Sequence, residues 1–508
     1  MKNLANQFFE IADLYPNKIA VWCENESITY NNLANLISQY SNYLLDNGVT
    51  YRDHIGIPMN NSIESVALIL TAANLGVGLV PINPTLPLDA IKTAFDSSDV
   101  KHLIARRVFF EQYDKLGELN LNGMKFCLDG KYEGAIPFTD AMNMSIKRPI
   151  NEEIGGDETL IITMTSGSTG SPKPIDLTQN NKYQRAMAHI SLYNITKDDI
   201  VLAATPLYHS LAERLVLIPL LIGGTSVLLP RFTADIWLNC IKEKKVTFTI
   251  AVSAQLSQIA ELLSTSSISK IDSLRSVVSS SSLLESHVKN KLIEKLKCDF
   301  HEMYGTSEIS TATSINFKES LNHDQSVGRP LPEAYIRIIK DNGELAPTHE
   351  IGEIACKTKL MCNGYYGMQE AFNNALQNGY FKTGDMGYLD KDGFLYFSGR
   401  KKELIITGGI NVYPSDLEKY VLELPEVEEC AAFAYPDERL GEVVALAVVN
   451  KQNCKLNKRS IRIQCARNLA DFQQPHKIFF VNELPKNAMG KLVKFKLMEY
   501  IKLNCLNE

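Results

Sequence analysis

Residues 163–174 read TMTSGSTGSPKP and follow directly on the apolar run 160–162. An apolar run that ends in a cluster of Gly, Ser, Thr and Pro predicts a buried strand followed by a loop. Small residues in such a loop let backbone N–H groups approach a polyphosphate, and Lys173 adds a positive charge. It is not a Walker A loop, because that motif has Gly directly before its Lys, whereas Lys173 lies between Pro172 and Pro174. The segment predicts a phosphate-binding loop, and a flexible surface linker is the alternative.

Helical and strand-like patterns alternate on both sides of this loop. Residues 62–74 have a helical pattern and residues 78–82 form a short apolar run, and the alternation recurs up to about residue 300. This alternation predicts an α/β fold. Between residues 351 and 397, turns rich in Gly and Asp predominate, with strand-like pieces at 352–357 and 393–397. That stretch predicts a more β-rich subdomain.

A domain boundary is predicted near residue 399. The charged turn at 399–403 is followed by a β-branched strand and by the glycine pair Gly408 and Gly409. A chain of 508 residues is longer than the roughly 250–300 residues at which a single core stops growing. We therefore expect a large domain of several subdomains over residues 1–399 and a small α/β domain over residues 400–508.

The composition excludes several classes of protein. With 45% apolar and 22% charged residues it is typical of a globular protein. The net charge of −6, without a dense basic stripe, argues against a nucleic-acid-binding protein. The ten cysteines show neither CxxC pairs nor zinc-site spacing, which favours a reducing cytoplasm. The longest apolar runs, 65–82 and 215–230, are interrupted by Asn or Gly and so predict buried elements rather than membrane spans.

Four further segments carry side chains suited to a nucleotide or a carboxylate. They are AATPLYH at 203–209, YGTSE at 304–308, YFKTGD at 380–385 and PKNAMGK at 485–491. An aromatic ring offers a face to a purine, a carboxylate beside a hydroxyl suits a hard cation, and an ionised Asp can accept two hydrogen bonds at once. Each segment taken alone also fits a common turn or an exposed basic loop.

Together with the loop at 163–174, and in this order, these segments resemble the motifs of the adenylate-forming superfamily. That superfamily comprises acyl-CoA synthetases, the adenylation domains that load carrier proteins, and beetle luciferases. The resemblance covers essentially the whole chain. It implies a large N-terminal AMP-binding domain and a small, mobile C-terminal α/β domain that rotates about a hinge at Lys402.

The resemblance also implies an activity and its cofactors. With ATP and Mg²⁺, a carboxylic acid is converted to an acyl-adenylate and pyrophosphate is released. The acyl group then passes to the thiol of CoA, or to the phosphopantetheine arm of a carrier protein. A non-catalytic homologue that binds only the nucleotide or the acyl group is the third hypothesis.

Site residues are carried over position by position. The resemblance assigns the nucleotide to Thr165, Ser166, Gly167, Ser168, Thr169, Gly170, Lys173, Ser280, Ser281, Ser282, Tyr304, Gly305, Thr306, Ser307, Asp385, Phe397, Arg400 and Lys491. It implies that Tyr304 stacks on adenine and that Asp385 accepts hydrogen bonds from both ribose hydroxyls. Mg²⁺ is assigned to Glu308 and Thr165.

The catalytic candidates are Lys491, His209, Thr165 and Glu308. In the superfamily the lysine at the position of Lys491 bridges the attacking carboxylate and the α-phosphate, where negative charge develops. His209 matches a histidine that borders the carboxylate pocket, although a structural histidine remains the alternative. After rotation of the small domain, Gly408 and Gly409 would line the channel for the thiol, or they form an ordinary turn.

Two departures from the family pattern concern the acid. No Asp follows His209, as it does in relatives that activate amino acids. Glu213 and Arg214 occupy a stretch that is commonly Gly-rich, so they either reach the pocket and meet a polar or charged acid or face water. The serine run 279–282 replaces a loop rich in Gly and Ala, which allows a hydroxyl-lined pocket. The identity of the acid stays open.

Overall fold

The computed structural model describes residues 3–114, 117–164, 172–265, 271–323, 325–407, 410–437, 439–451, 454, 456–486 and 492–504. The chain divides into two compact units. The first consists of Met1–Leu321 and Thr358–Leu376, and the second of Asn322–Lys357 and Gln377–Glu508.

Helices and strands alternate along the chain. The helices are α1 (Leu4–Leu14), α2 (Tyr30–Asp46), α3 (Ile63–Leu75), α4 (Leu88–Asp96), α5 (Arg107–Tyr113), α6 (Gln179–Leu192), α7 (Ser210–Leu220), α8 (Ala234–Lys244), α9 (Ser253–Thr265), α10 (Ser286–Leu296), α11 (Phe317–Ser320), α12 (Gln369–Asn374), α13 (Pro414–Leu422), α14 (Lys458–Asn468) and α15 (Lys494–Asn504). Short 3-10 helices occupy Phe138–Asn143, Lys401–Glu403 and Asp471–Gln473.

The strands are β1 (Ile19–Cys23), β2 (Glu26–Thr29), β3 (His54–Pro58), β4 (Gly78–Ile82), β5 (His102–Ala105), β6 (Lys125–Cys127), β7 (Ile136–Pro137), β8 (Thr159–Met164), β9 (Pro174–Thr178), β10 (Ile200–Ala203), β11 (Thr225–Leu228), β12 (Phe248–Val252), β13 (Ser276–Ser280), β14 (Asp299–Thr306), β15 (Ser310–Asn316), β16 (Ser326–Pro330), β17 (Ala334–Ile339), β18 (Gly352–Thr358), β19 (Gly364–Tyr365), β20 (Leu376–Gln377), β21 (Tyr380–Leu389), β22 (Leu395–Arg400), β23 (Ile405–Thr407), β24 (Ile410–Val412), β25 (Val427–Asp437), β26 (Gly441–Asn450) and β27 (Lys477–Phe480).

The first unit contains two mainly parallel sheets. One has the order β15-β14-β13-β12-β10-β11-β1-β2, and the other β19-β9-β8-β4-β3-β5-β6-β7. In the first of these sheets β10, β12, β13 and β14 are parallel to one another, so their carboxyl ends meet at one edge. The carboxyl edge of such a sheet is where ligands bind in open α/β folds. The α/β fold predicted from the alternating pattern is confirmed.

Burial accounts for the long apolar runs of the sequence. Helix α3 begins at the N-cap Ser62, whose side chain accepts a hydrogen bond from Ser65 N, and ends at Gly76 with a φ of 64°. Every residue from Ser65 to Leu75 is buried, and so is every residue of β4. A helix that is apolar on all sides belongs in a protein core. In the described part of the chain, no helix is long and apolar enough to cross a membrane.

The second unit also contains two sheets. Its first part has the strand order β17-β18-β21-β22-β16. Strands β18, β21 and β22 lie largely within residues 351–397, where the sequence predicts a β-rich subdomain. Its C-terminal part has the order β24-β23-β26-β25, with β27 parallel to β26. Helices α13 and α14 supply Leu417, Val421 and Ile461 to the core of this part. The second compact unit begins at residue 322, so its start does not coincide with the domain boundary predicted near residue 399. The division into a large domain and a movable small domain at residue 399 stays a prediction.

Candidate active site

The phosphate loop predicted at 163–174 connects two antiparallel strands of the first unit. Strand β8 ends at Met164 and β9 begins at Pro174, as the apolar run before the loop predicts. The six candidates from Thr165 to Gly170 lie outside the described residues. Lys173 is described, and its ammonium lies 4.8 Å from the centre of the Tyr365 ring.

The YGTSE segment forms the end of β14 and the turn into β15. Tyr304 is buried, while Gly305 pairs with Thr311 across the hairpin. A Cβ atom on Gly305 would lie 1.8 Å from the carbonyl oxygen of Ser310, so only glycine fits this position. The turn leaves Thr306 partly exposed and Ser307 exposed. This close approach of the two backbones fixes the direction in which the chain reaches Glu308.

Glu308 is held by residues distant in sequence. Its Oε1 accepts a hydrogen bond of 3.0 Å from the hydroxyl of Tyr365. Its carbonyl oxygen accepts hydrogen bonds from Nη2 of Arg185 at 3.0 Å and from the backbone N–H of Cys362 at 2.7 Å. The side chain is partly exposed, so the carboxylate can meet a cation from solvent. Sequence reasoning missed both Tyr365 and Arg185 as neighbours of this residue.

The serine run lies at the carboxyl end of β13. Ser279 is buried, with its hydroxyl 3.5 Å from the hydroxyl of Ser253, and the Ser253 hydroxyl also donates to the carbonyl of Ser280 at 3.3 Å. Ser281 has a φ of 82°, and both Ser281 and Ser282 are exposed. Ser279 therefore belongs to the core, whereas Ser280, Ser281 and Ser282 lie at or just beyond the carboxyl end of β13.

His209 lies beyond the carboxyl end of β10 and immediately precedes α7. Its Nε2 atom is buried and has no hydrogen-bond partner among the described residues. Burial lowers the pKa of His209 to about 4, because the charged imidazolium would lose its hydration. The imidazole is therefore neutral near pH 7.

Glu213 and Arg214 lie on α7 inside the first unit. Glu213 is 0% and Arg214 7% exposed, so the alternative that they face water is wrong. Both are surrounded by the apolar residues of α7, which carries them into the core. Glu213 forms an ion pair with Lys182 of α6. Nη1 of Arg214 lies 3.2 Å from Nε2 of His189 and 3.3 Å from Oγ1 of Thr311.

The second unit brings together the candidates for the ribose. Asp385 on β21 and Arg400 on β22 are cross-strand partners, and Nε of Arg400 lies 3.3 Å from Oδ1 of Asp385. Asp385 is 4% exposed, and its backbone N–H donates to Oγ1 of Thr383 at 3.1 Å. Phe397 lies on β22 with Arg400 and is partly exposed. The charged pair is thus fixed by the register of two strands.

The hinge and thiol-channel candidates also belong to the second unit. Lys402 lies in the 3-10 turn Lys401–Glu403, between β22 and β23. Strands β23 and β24 pair through Thr407 and Ile410, and Gly408 and Gly409 between them lie outside the described residues. Lys491 lies outside them as well.

A metal held only by protein side chains is not found in the described part of the chain. No group of three His, Cys, Asp or Glu residues there could hold an ion. Mg²⁺ at a nucleotide site typically has one or two carboxylates and takes its other ligands from phosphates and water. The partly exposed carboxylate of Glu308 fits that type of site.

Comparison with known proteins places this site in a family. The family model of AMP-binding enzymes matches residues 8–366, and the model of the AMP-binding enzyme C-terminal domain matches residues 416–491. The chain is 29% identical over 486 residues to an indoleacetate–CoA ligase of Aromatoleum aromaticum, with 95% of each chain covered. It is 28% identical over 503 residues to a 2-succinylbenzoate–CoA ligase of Bacillus cereus, with 99% of each covered.

Solved structures agree with these relatives. ATP-bound MatB from Rhodopseudomonas palustris has a TM-score of 0.89 and 26% identity, with 99% of each chain covered. The o-succinylbenzoate CoA synthetase of Bacillus subtilis, in complex with its acyl-adenylate intermediate, has a TM-score of 0.87 and 27% identity, with 98% of each covered. The resemblance to adenylate-forming enzymes is confirmed, and the chain belongs to the family of AMP-binding enzymes.

Proposed function

We propose that this chain is an AMP-forming acid–CoA ligase. It joins a carboxylic acid to the α-phosphate of ATP, releases pyrophosphate, and then transfers the acyl group from AMP to the thiol of CoA. A carboxylate is a poor acyl donor because oxide is a poor leaving group, and attachment of AMP provides a good one. The two half-reactions replace one difficult step by two easier ones.

The observation that supports this proposal most strongly is the link that Tyr365 makes between Lys173 and Glu308. The ring lies below the ammonium of Lys173, and the hydroxyl donates to the carboxylate of Glu308. Tyr365 therefore contacts both the ammonium that we assign to the phosphate oxygens and the carboxylate that we assign to Mg²⁺. When bound, Mg²⁺ would neutralise charge on the phosphates, and the Bacillus subtilis synthetase has been solved with ATP and magnesium ion.

His209 would orient the acid. Because its low pKa keeps the imidazole neutral, His209 contributes a hydrogen bond rather than a charge. Its Nε2, buried and without a partner among the described residues, is the atom available for that bond. Whether it donates or accepts depends on the tautomer.

The second half-reaction needs a different arrangement of the C-terminal residues. We assign Lys491 to the adenylation step, Lys402 to the hinge, and Gly408 and Gly409 to the thiol channel. Asp385 and Arg400 are assigned to the ribose and phosphate of the nucleotide. These roles rest on the family motifs. For the location of the protein we propose the cytoplasm, because the cysteine pattern favours a reducing compartment.

CoA is the proposed acceptor because the indoleacetate and 2-succinylbenzoate ligases that this chain resembles are named as CoA ligases. A carrier protein is the second candidate, since its phosphopantetheine arm ends in the same thiol. Acids of the kind that these relatives are named for, indoleacetate and 2-succinylbenzoate, belong in the first substrate panel.

The test is acid-dependent exchange of pyrophosphate into ATP over a broad panel of acids. Acids that support exchange are then incubated with CoA, with candidate carrier proteins, and with neither, and the thioester products are identified by mass spectrometry. Exchange followed by formation of acyl-CoA supports the proposal. A thioester formed only on a carrier protein supports the alternative acceptor, and no exchange with any acid supports a non-catalytic homologue.

A further inference from the structure

Residues 204–209, which lead from β10 to α7, form neither a helix nor a strand. Ala204, Thr205 and Leu207 are nevertheless buried. Buried backbone outside regular elements has to find its hydrogen bonds elsewhere in the protein, because unpaired peptide groups are costly away from water. We refer to residues 204–209 as the His209 segment.

The side chain of Asn61 supplies several of these hydrogen bonds. Its Nδ2 donates to the carbonyl of Thr205 at 2.9 Å and to the carbonyl of Leu229, just after β11, at 2.7 Å. Its Oδ1 accepts from the backbone N–H of Leu207 at 2.7 Å. Asn61 is buried, and both hydrogens of its amide nitrogen are used. The carboxamide thus pairs with the His209 segment as a peptide group of a neighbouring strand would.

The turn that ends at His209 depends on these bonds. The backbone N–H of His209 donates to the carbonyl of Pro206 at 3.0 Å, which closes a turn over residues 206–209. Leu207 is the second residue of this turn, and its N–H is the group that Oδ1 of Asn61 binds. The turn cannot pivot about the chain without breaking that bond. Asn61 therefore fixes the direction in which the His209 ring leaves the backbone.

Asn61 itself comes from the other sheet of the first unit. It follows β3 and directly precedes Ser62, the N-cap of α3. Strands β3, β4 and β8 are parallel neighbours, so their carboxyl ends lie at one edge of that sheet. The loop assigned to the phosphates begins at the carboxyl end of β8, and the His209 segment begins at the carboxyl end of β10. Asn61 therefore joins the sheet edge from which the phosphate loop starts to the edge that carries His209.

We propose that Asn61 is a positioning residue of the ligase reaction, which sets the place of His209, and with it the acid, relative to the phosphates of ATP. This inference rests on the proposed function, which assigns His209 to the acid. The carboxylate has to meet the α-phosphate in a well-defined orientation, and a misplacement of about 1 Å can lower the rate by a factor on the order of 10². Loss of Asn61 should therefore impair the use of the acid more than the binding of Mg·ATP.

The first experiment measures pyrophosphate exchange in full-length Asn61→Ala. The probe is the acid that gives the fastest exchange with the wild type in the panel that contains indoleacetate and 2-succinylbenzoate. We expect kcat/KM for this acid to fall by a factor on the order of 10 to 10². KM for Mg·ATP is expected to stay within about 3-fold of the wild-type value, because the phosphate loop keeps its own strands.

The matched control is Asn74→Ala. Asn74 is also a buried asparagine of the first unit, and its Nδ2 donates to Oγ of Ser41 at 3.0 Å while its Oδ1 accepts from Nε of Arg148 at 2.7 Å. These bonds do not involve the His209 segment. Asn74→Ala is therefore expected to lose stability and to keep kcat/KM for the acid.

A double-mutant cycle tests whether Asn61 acts through His209. In a His209→Ala background, Asn61→Ala should cause little further loss of kcat/KM for the acid, because the ring that it positions is already absent. Residues that act through one another are non-additive, whereas independent structural losses add. A merely structural role of Asn61 would give the same loss with and without the His209 ring.

Hydrogen exchange of the backbone tests the hold on the segment without any assay of activity. In Asn61→Ala, the amide of Leu207 should lose protection by a factor on the order of 10 or more, measured by mass spectrometry on peptides that cover residues 204–209. Asn74→Ala should leave this protection unchanged. If Asn61→Ala does not fold, Asn61→Asp takes its place. It keeps the acceptor for Leu207 but loses the amide donors, so smaller losses in the same direction are expected.

The possible outcomes separate the two proposals. Equal losses for the acid and for Mg·ATP, full additivity with His209→Ala, or unchanged protection of the His209 segment would each overturn the positioning role of Asn61 and leave the proposed function standing. A wild-type chain that supports no exchange with any acid overturns the proposed function. Hydrogen exchange would then still show whether Asn61 holds the His209 segment.

Discussion

The hydroxyl of Tyr365 donates a hydrogen bond of 3.0 Å to Oε1 of Glu308, although 57 residues separate the two in sequence. The same tyrosine contacts Lys173 through its ring. Burial and the adjacent Glu308 raise the pKa of Tyr365, so the hydroxyl keeps its proton and remains a donor. We therefore propose that Tyr365 positions Lys173 and Glu308, the residues assigned to the phosphates and to Mg²⁺.

Removal of that hydroxyl tests this role. In Tyr365→Phe we expect kcat/KM for Mg·ATP to fall by a factor on the order of 10 to 10², since hydrogen bonds to charged groups contribute about 1.5–3 kcal/mol. The matched control is Tyr366→Phe, because the adjacent hydroxyl donates to the exposed Asp99 at 3.1 Å instead. Pyrophosphate exchange at varied Mg²⁺ measures both. Equal losses in the two variants would contradict the positioning role.

Gly305 is expected to tolerate no side chain. In Gly305→Ala the added Cβ would overlap the carbonyl of Ser310, so the β14–β15 hairpin must shift. We expect the free energy of unfolding to drop by about 2 kcal/mol or more. The control is Gly155→Ala, where a Cβ atom meets nothing within 4 Å. Chemical denaturation measures both, and a Gly305→Ala variant as stable as the wild type would disprove the clash.

The low pKa of His209 predicts a dependence of stability on pH. In the unfolded chain a histidine binds a proton near pH 6.5, whereas in the folded protein His209 binds it only near pH 4. The contribution of neutral His209 to the free energy of unfolding is therefore complete above pH 6.5 and is lost as the pH falls through 4. When the pH is lowered from 7 to 4.5, the free energy of unfolding should decrease less in His209→Asn than in the wild type. The difference between the two decreases should be on the order of 2 kcal/mol. Parallel curves for the two proteins would show that His209 is not buried in its neutral form.

Lys491 is expected to act in one half-reaction only. In Lys491→Ala we expect the rate of adenylation to fall by a factor on the order of 10² to 10³, because the stabilising charge at the α-phosphate is lost. Thioester formation from supplied acyl-AMP should be spared. The control Lys486→Ala removes an exposed ion pair with Glu429 and should preserve both half-reactions. Equal damage to both half-reactions in Lys491→Ala would contradict the assignment.

Local sequence patterns were sufficient to predict several of the helices and strands. The apolar run before residue 163 predicted β8, and the alternation at 62–82 predicted α3 and β4, because periodicity and turn residues act locally. The pairing of Asp385 with Arg400 was not predicted as a contact, since it depends on the register of β21 and β22. It nevertheless joins two residues that the motifs had already identified.

The residues missed by the sequence analysis are those that tertiary packing brings to the site. Arg185 reaches Glu308 across 123 positions in the chain, and no local pattern encodes that distance. One signal was available on α6, where Lys182, Arg185 and His189 are spaced as on one face of a helix. The apolar residues that follow Arg214 on α7 also indicated a buried helix and hence buried charges.

The stoichiometry of nucleotide products tests the central claim most directly. Purified enzyme is incubated with ATP, Mg²⁺ and an active acid, and its products are identified by mass spectrometry before and after CoA is added. The account predicts acyl-AMP and pyrophosphate without CoA, and one AMP for each acyl-CoA once CoA is present. ADP and inorganic phosphate as the acid-dependent products, with no acyl-AMP, would contradict it.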